Sequence, residues 1–170
     1  DSDEVVSELL RNEIREQINN AAHNGFYLKR EDTFLGKKLL YGETGNVRLL
    51  RLAKKNVGIW TRPVHELWDI KGDIGELVHP LAHFPHPSVS TFLSDINTYT
   101  TRNVQHLYDQ KIQEPTWYIV VYPIAKFLRN YIFLQGYRDG TQGAIMAIMM
   151  SFHSFLTRAK LYVLWHKKEV

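Results

Sequence analysis

His79-Pro80-Leu81-Ala82-His83-Phe84-Pro85-His86-Pro87 is the stretch at which this chain changes character. Each proline fixes its own φ and removes a backbone donor, so the run is expected to break regular structure. Upstream, short helical and strand-like patterns alternate. Ser7 is positioned as an N-cap ahead of Leu10, Ile14 and Ile18 at helical spacing, which predicts an amphipathic helix from about Ser7 to Asn20. Gly25–Lys29, Val47–Ala53, Gly58–Thr61 and Leu67–Ile70 read as strands, and Phe34–Tyr41 as a short loop with helical character closed by Gly42. Downstream of Ser88 the periodicity is helical only. Phe92, Ile96, Tyr99, Val104, Leu107 and Tyr108 mark one helix. A second starts at Pro115, with Ile119, Val120, Pro123, Ile124, Phe127, Leu128 and Tyr131 as its apolar face, and a last one runs from about Gly143 to Trp165. The expected class is therefore α/β followed by an all-α tail, divided as 1–87 and 88–170.

Composition narrows the function. With 170 residues, 44% hydrophobic and 23% charged, the chain can bury a core and is not a disordered segment. It has no cysteine, which excludes disulfide scaffolds and thiolate zinc sites. The net charge is only +3, and no basic stripe is interleaved with aromatics, so nucleic acid is not an expected partner. The charge is uneven, however. Lys37, Lys38, Arg48, Arg51, Lys54, Lys55 and Arg62 share one window, which suits a phosphate-facing or a simply solvated surface. Lys126, Arg129, Arg138, Arg158, Lys160, Lys167 and Lys168 punctuate the apolar C-terminal third, which suits an anionic membrane surface. No run reaches 18 apolar residues: Ala144–Leu156 carries Ser151, His153 and Ser154, so it suits a membrane interface or a protein core better than a bilayer span.

Four groups of residues could carry chemistry. Asp1 and Asp3, spaced i and i+2, point the same way from an extended segment and can share a hard divalent cation. The commoner role of such a pair ahead of a helix is to face its dipole. Glu66, in Arg62-Pro63-Val64-His65-Glu66, could act as a general base toward a hydroxyl, or pair with Arg62 at the surface. His79, His83 and His86 have metal-like spacing, but the prolines prevent a single helix from presenting all three. One imidazole completing a carboxylate–metal shell is the better reading, against loop histidines bonded to backbone. His153 lies on an apolar helix and reads as a core or interfacial histidine.

The order of these motifs carries a resemblance. Asp1-Ser2-Asp3-Glu4, an amphipathic helix, Gly25-Phe26-Tyr27-Leu28-Lys29-Arg30, Phe34-Leu35-Gly36-Lys37, Arg51-Leu52, Arg62–Glu66 and Leu77–Phe84 follow one another. Arg129-Asn130-Tyr131, Gly136–Gly140 and Ala159–Tyr162 extend the series into the tail. Over essentially its whole length the chain resembles the second half of bacterial family 2 glycosyltransferases, in the subgroup that builds lipopolysaccharide core and other surface glycans. That resemblance implies the acceptor-side half of a GT-A type fold. Asp1 and Asp3 would be its DxD motif, holding Mg2+ or Mn2+ and the diphosphate of a sugar nucleotide. Glu66 would be the catalytic carboxylate, His83 the histidine that approaches the metal, and Arg51 a neutraliser of phosphate charge. His79 is the weaker candidate, its place often being Asn in relatives.

The resemblance further implies inverting, metal-assisted transfer to a glycan or lipid-linked acceptor at the cytoplasmic face of the plasma membrane. The chain departs from the pattern at Glu43-Thr44-Gly45-Asn46, where relatives often carry Trp-Tyr-Pro-Asp, and Glu43 becomes a second carboxylate candidate. Because the sequence opens directly on the acidic motif without a methionine, the donor-binding strands are expected upstream, and residues 1–170 alone are expected not to turn over. An alternative of another class is a non-catalytic helical module that binds a membrane or a protein partner.

Overall fold

The computed structural model describes residues 3–20, 22–61 and 67–167, and the chain divides into two compact units, Asp1–Pro85 and His86–Val170. The first is α/β. It contains β1 (Glu4–Val5), α1 (Glu8–Asn20), β2 (Gly25–Phe34), β3 (Lys37–Lys38), β4 (Val47–Ala53), β5 (Gly58–Thr61), β6 (Leu67–Ile70) and β7 (Ile74–His83). The second contains α2 (Val89–Asp109), α3 (Tyr118–Leu128) and α4 (Gly140–His166).

The main sheet is mixed and built around β2. That strand pairs in parallel with β7, whose other edge takes β1 antiparallel, while β4 and, further along, β3 pair antiparallel with β2. Alternation along β2 sends Phe26, Leu28, Asp32 and Phe34 inward. Phe26 and Leu28 join Leu77 and Leu81 of β7 and Leu10 of α1 in one apolar cluster, with Ile14 and Leu52 against it. Helix α1 starts as its sequence predicts: Ser7 Oγ accepts the Leu10 amide at 3.2 Å. A separate two-stranded antiparallel sheet joins β5 to β6.

Two local expectations are corrected. The segment from Phe34 has no helical character. Leu35 and Gly36, both at positive φ, form a two-residue hairpin turn that pairs Thr33 with Lys38 and Phe34 with Lys37. Pro85 and Pro87 lie in the irregular segment between β7 and α2, as expected, but Pro80 does not end regular structure, since β7 continues through it to His83. The ladder supplies the reason. Leu77 pairs with Leu28 and Leu81 with Arg30, so β7 advances four residues while β2 advances two. Pro80 thus sits in a bulge, where a missing amide disrupts no ladder bond. The amides of Val78 and His79 in that bulge donate to the Glu13 carboxylate of α1, at 2.7 and 2.9 Å.

In the second unit α4 packs against both α2 and α3. Ser88 caps α2, its Oγ accepting the Thr91 amide at 3.0 Å. The inward positions of α2 are Phe92, Ile96, Thr100 and Val104; Tyr99 is exposed. Lys160 of α4 ties the two helices together: its ammonium, with three N–H groups, is surrounded by Asn97 O, Asn97 Oδ1, Thr100 Oγ1 and Thr101 Oγ1, all at 2.7–2.8 Å. Helix α3 begins at Tyr118, past Pro115, and continues into a π-helical turn, Arg129–Phe133. Among the described residues no helix is long and apolar enough to cross a membrane.

Candidate functional site

Strand pairing at one end of the main sheet creates the polar cluster. β7 lies between β1 and β2 there, with His83 in register with Glu4 on one side and Asp32 on the other. Asp3, just ahead of β1, is fixed by its carbonyl, which accepts the Phe84 amide at 2.8 Å. Its side chain thereby meets the imidazole: Asp3 Oδ2 lies 3.3 Å from His83 Nε2. The opposite ring nitrogen, Nδ1, is 2.8 Å from Asp32 Oδ1. Two residues expected to act together, Asp3 and His83, are therefore adjacent. Asp1 and Glu66, with Arg62, lie outside the described residues.

Asp32 and Arg30 are the members that the sequence reading missed. Asp32 is only 1% exposed, yet it is an ion. Arg30 Nε and Nη2 donate to its two oxygens at 2.7 and 2.9 Å, a fork that suits a carboxylate. Burial pushes the Asp32 pKa up, but the hydrogen bonds from His83 and Arg30 and their positive charge outweigh it and hold the carboxyl below its ordinary range. An ionised Asp32 accepts a hydrogen bond from Nδ1–H, which orients the His83 ring and turns Nε2 toward Asp3.

This turns a ring nitrogen toward a carboxylate oxygen, and either an N–H of the ring or a metal cation can lie between the two, so the pair can take part in holding a cation. An imidazole and a carboxylate, completed by phosphate oxygens and water, fit a divalent ion such as Mn2+ or Mg2+. Among the described residues, no three His, Asp or Glu side chains converge as a ready-made cage.

Arg51 is the extra residue of a second bulge. Tyr27 pairs with Leu50 and Phe26 with Leu52, leaving Arg51 without an opposite number. Its guanidinium lies 3.9 Å from the carboxylate of Glu4, the residue after Asp3.

The other histidines are engaged elsewhere. His79 Nδ1 is 2.8 Å from Glu13, and His86 Nδ1 is 3.0 Å from Asp95, its ring stacked on Phe92. His79, His83 and His86 thus each take a different carboxylate. Glu43 lies partly buried in the turn between β3 and β4. No protein-family model, curated protein or solved structure matches this chain.

Proposed function

We propose that the α/β unit is the acceptor-side half of a GT-A type glycosyltransferase, which moves a sugar from a nucleoside-diphosphate donor to a glycan or lipid-linked acceptor of the cell envelope. The observation that carries the reading is the Asp3–His83 pair. A carboxylate and an imidazole that the family resemblance would assign to one metal and diphosphate site lie 3.3 Å apart. Asp3 and His83, with Asp1, would hold Mg2+ or Mn2+. Such an ion, when bound, offsets charge on the departing diphosphate.

The remaining roles fall to the chain's own residues. Asp32 and Arg30 hold the His83 ring so that Nε2 stays on the Asp3 side. Arg51 adds positive charge beside Glu4, where diphosphate oxygens would otherwise meet carboxylates alone. Glu66 takes the proton of the acceptor hydroxyl as that oxygen attacks the anomeric carbon from the face opposite the leaving group, which inverts the configuration. The helical unit brings the enzyme to the cytoplasmic surface of the plasma membrane, where a lipid-linked acceptor is presented.

The test is metal-dependent release of nucleoside diphosphate from a panel of sugar nucleotides, run on the complete gene product. Asp3→Ala and His83→Ala should each weaken Mn2+ binding and release. Glu66→Gln should abolish transfer while donor binding survives. Mn2+ binding that is indifferent to both Asp3 and His83 would overturn the site assignment.

A further inference from the structure

Helix α3 reads Tyr-Ile-Val-Val-Tyr-Pro-Ile-Ala-Lys-Phe-Leu, and none of its residues is buried. Trp117, Val120, Val121, Ile124 and Leu128 recur at spacings of three and four, so they share one face. Their exposures are 58, 61, 46, 55 and 38%, values usual for lysines and unusual for a row of large apolar side chains. The row does not stop at α3. An open groove lined by Val120 and Pro123 on one side and Ile148, Phe152 and Phe155 of α4 on the other joins the two helices into one apolar surface. Ile148 is itself 56% exposed. Contiguous apolar surface of this kind marks an interaction site.

Charge identifies the occupant. Residues 114–169 contain seven lysines and arginines against three acidic residues: Glu169, Glu114, which pairs with Arg158 at 3.4 Å, and Asp139. Asp139 is 3% exposed, so its carboxylate contributes little to the surface. The apolar face is therefore set in a cationic surround. A second copy of the same face would bring like charges together, whereas an anionic bilayer offers both an apolar interior and phosphate charge of the opposite sign. No described helix can span, so the contact lies in the plane of the interface.

We propose that the Trp117–Leu128 stripe of α3 and the Ile148–Phe155 surface of α4 form an interfacial face that seats on anionic phospholipid. The inference rests on the membrane half of the proposed function and is independent of its transfer chemistry.

Co-sedimentation of the whole chain with vesicles of equal parts phosphatidylglycerol and phosphatidylcholine tests it, with phosphatidylcholine vesicles alone as the neutral arm. The chain should pellet with the anionic vesicles, stay in solution with the neutral ones, and be released as salt is raised. Ile124→Asp should lower the anionic partition roughly tenfold. It should also leave the circular dichroism spectrum unchanged, since the position is exposed. Ile59→Asp, at a 67% exposed apolar position of the α/β unit, should change nothing. Failure to pellet at low salt would overturn the proposal, as would binding untouched by Ile124→Asp. So would a stable dimer in sedimentation velocity that Ile124→Asp dissociates. Vesicle binding without nucleotide release by the complete gene product would count against the transferase reading alone.

Discussion

Asp32 is an ion that the fold has taken out of water, and its two partners define what its removal would cost. Asp32→Ala leaves the Arg30 guanidinium and the His83 imidazole without their shared acceptor. Breaking a buried pair from one side costs about 3 kcal/mol or more. The expected result is a large drop in the denaturant midpoint, with Asp32→Asn costing less because one acceptor oxygen remains. A midpoint unchanged in Asp32→Ala would show that Arg30 and His83 find other partners. The residue was legible in principle: with Phe26 and Leu28 inward, the period of two along β2 places positions 30, 32 and 34 on the same face. Ending the strand at Lys29 hid this, because a run of Lys, Arg, Glu and Asp looks solvated until the strand is carried through to Phe34. Leu35 poses the opposite case. It is held at φ 47°, a region that a leucine reaches at a cost of about 1 kcal/mol, and its side chain is 40% exposed. Leu35→Asn should therefore raise stability by about 0.5–1 kcal/mol in chemical denaturation, because Asn suits this turn. A loss of stability would mean that the leucine side chain contributes more than its backbone costs.

Bulges and close helix contacts set the energetics at the scale of elements. The bulge of β7 is completed by Glu13, whose carboxylate takes two amides and the His79 imidazole. Burial raises the Glu13 pKa, and the hydrogen bonds from Val78 and His79, together with the His79 charge, more than reverse it, so the net shift is downward. A carboxylate with a lowered folded pKa stabilises fully above the unfolded value of about 4.3, and that contribution is lost as pH falls through the folded value. Denaturation midpoints followed from neutral pH down to pH ~3 should fall more steeply in the parent than in Glu13→Gln, which has already lost the contribution at neutral pH. Parallel curves would remove Glu13 from that role. Nothing in the local sequence announces this contact, since the carboxylate and its amides are 65 and 66 residues apart. Pro80 departs from expectation for the same reason: it breaks a strand only where its amide would have been needed, and need is decided by a partner strand. In the helical unit, the close packing of the Gly136–Asp139 turn on the start of α4 depends on Gly143, where a Cβ would fall on the Gly136 carbonyl oxygen. Gly143→Ala should destabilise by about 1–3 kcal/mol, despite the helix propensity of alanine, as read by thermal or denaturant unfolding.

Taken across the whole molecule, the modest net charge of +3 conceals a segregation of charge that the sequence already displayed. Acidic side chains concentrate in the α/β unit, where several meet basic partners: Glu76 with Arg48, Glu31 with Lys38, Asp32 with Arg30. Within the basic cluster read from the first half, Lys38, Arg48 and Arg51 each meet a carboxylate, so part of its charge is offset in place. The seven basic residues of the C-terminal third face few acidic ones: Glu114 pairs with Arg158, and Asp139 is buried. What the sequence could not indicate is that the apolar face of α3 stays uncovered, because exposure depends on where α4 packs. Positive charge and a continuous apolar face combine in the helical unit, and reversing a charge should have different effects in the two units. Each basic residue near an anionic bilayer contributes about 1 kcal/mol to binding. Arg138→Glu, in the exposed turn before α4, should weaken partition onto phosphatidylglycerol vesicles by roughly tenfold or more, and the loss should shrink as salt is raised. Lys55→Glu changes the net charge equally but sits exposed in the turn between β4 and β5, and it should leave the partition near that of the parent. If both reversals weakened binding alike, net charge alone would govern the attraction, and the helical unit would lose its special place at the membrane.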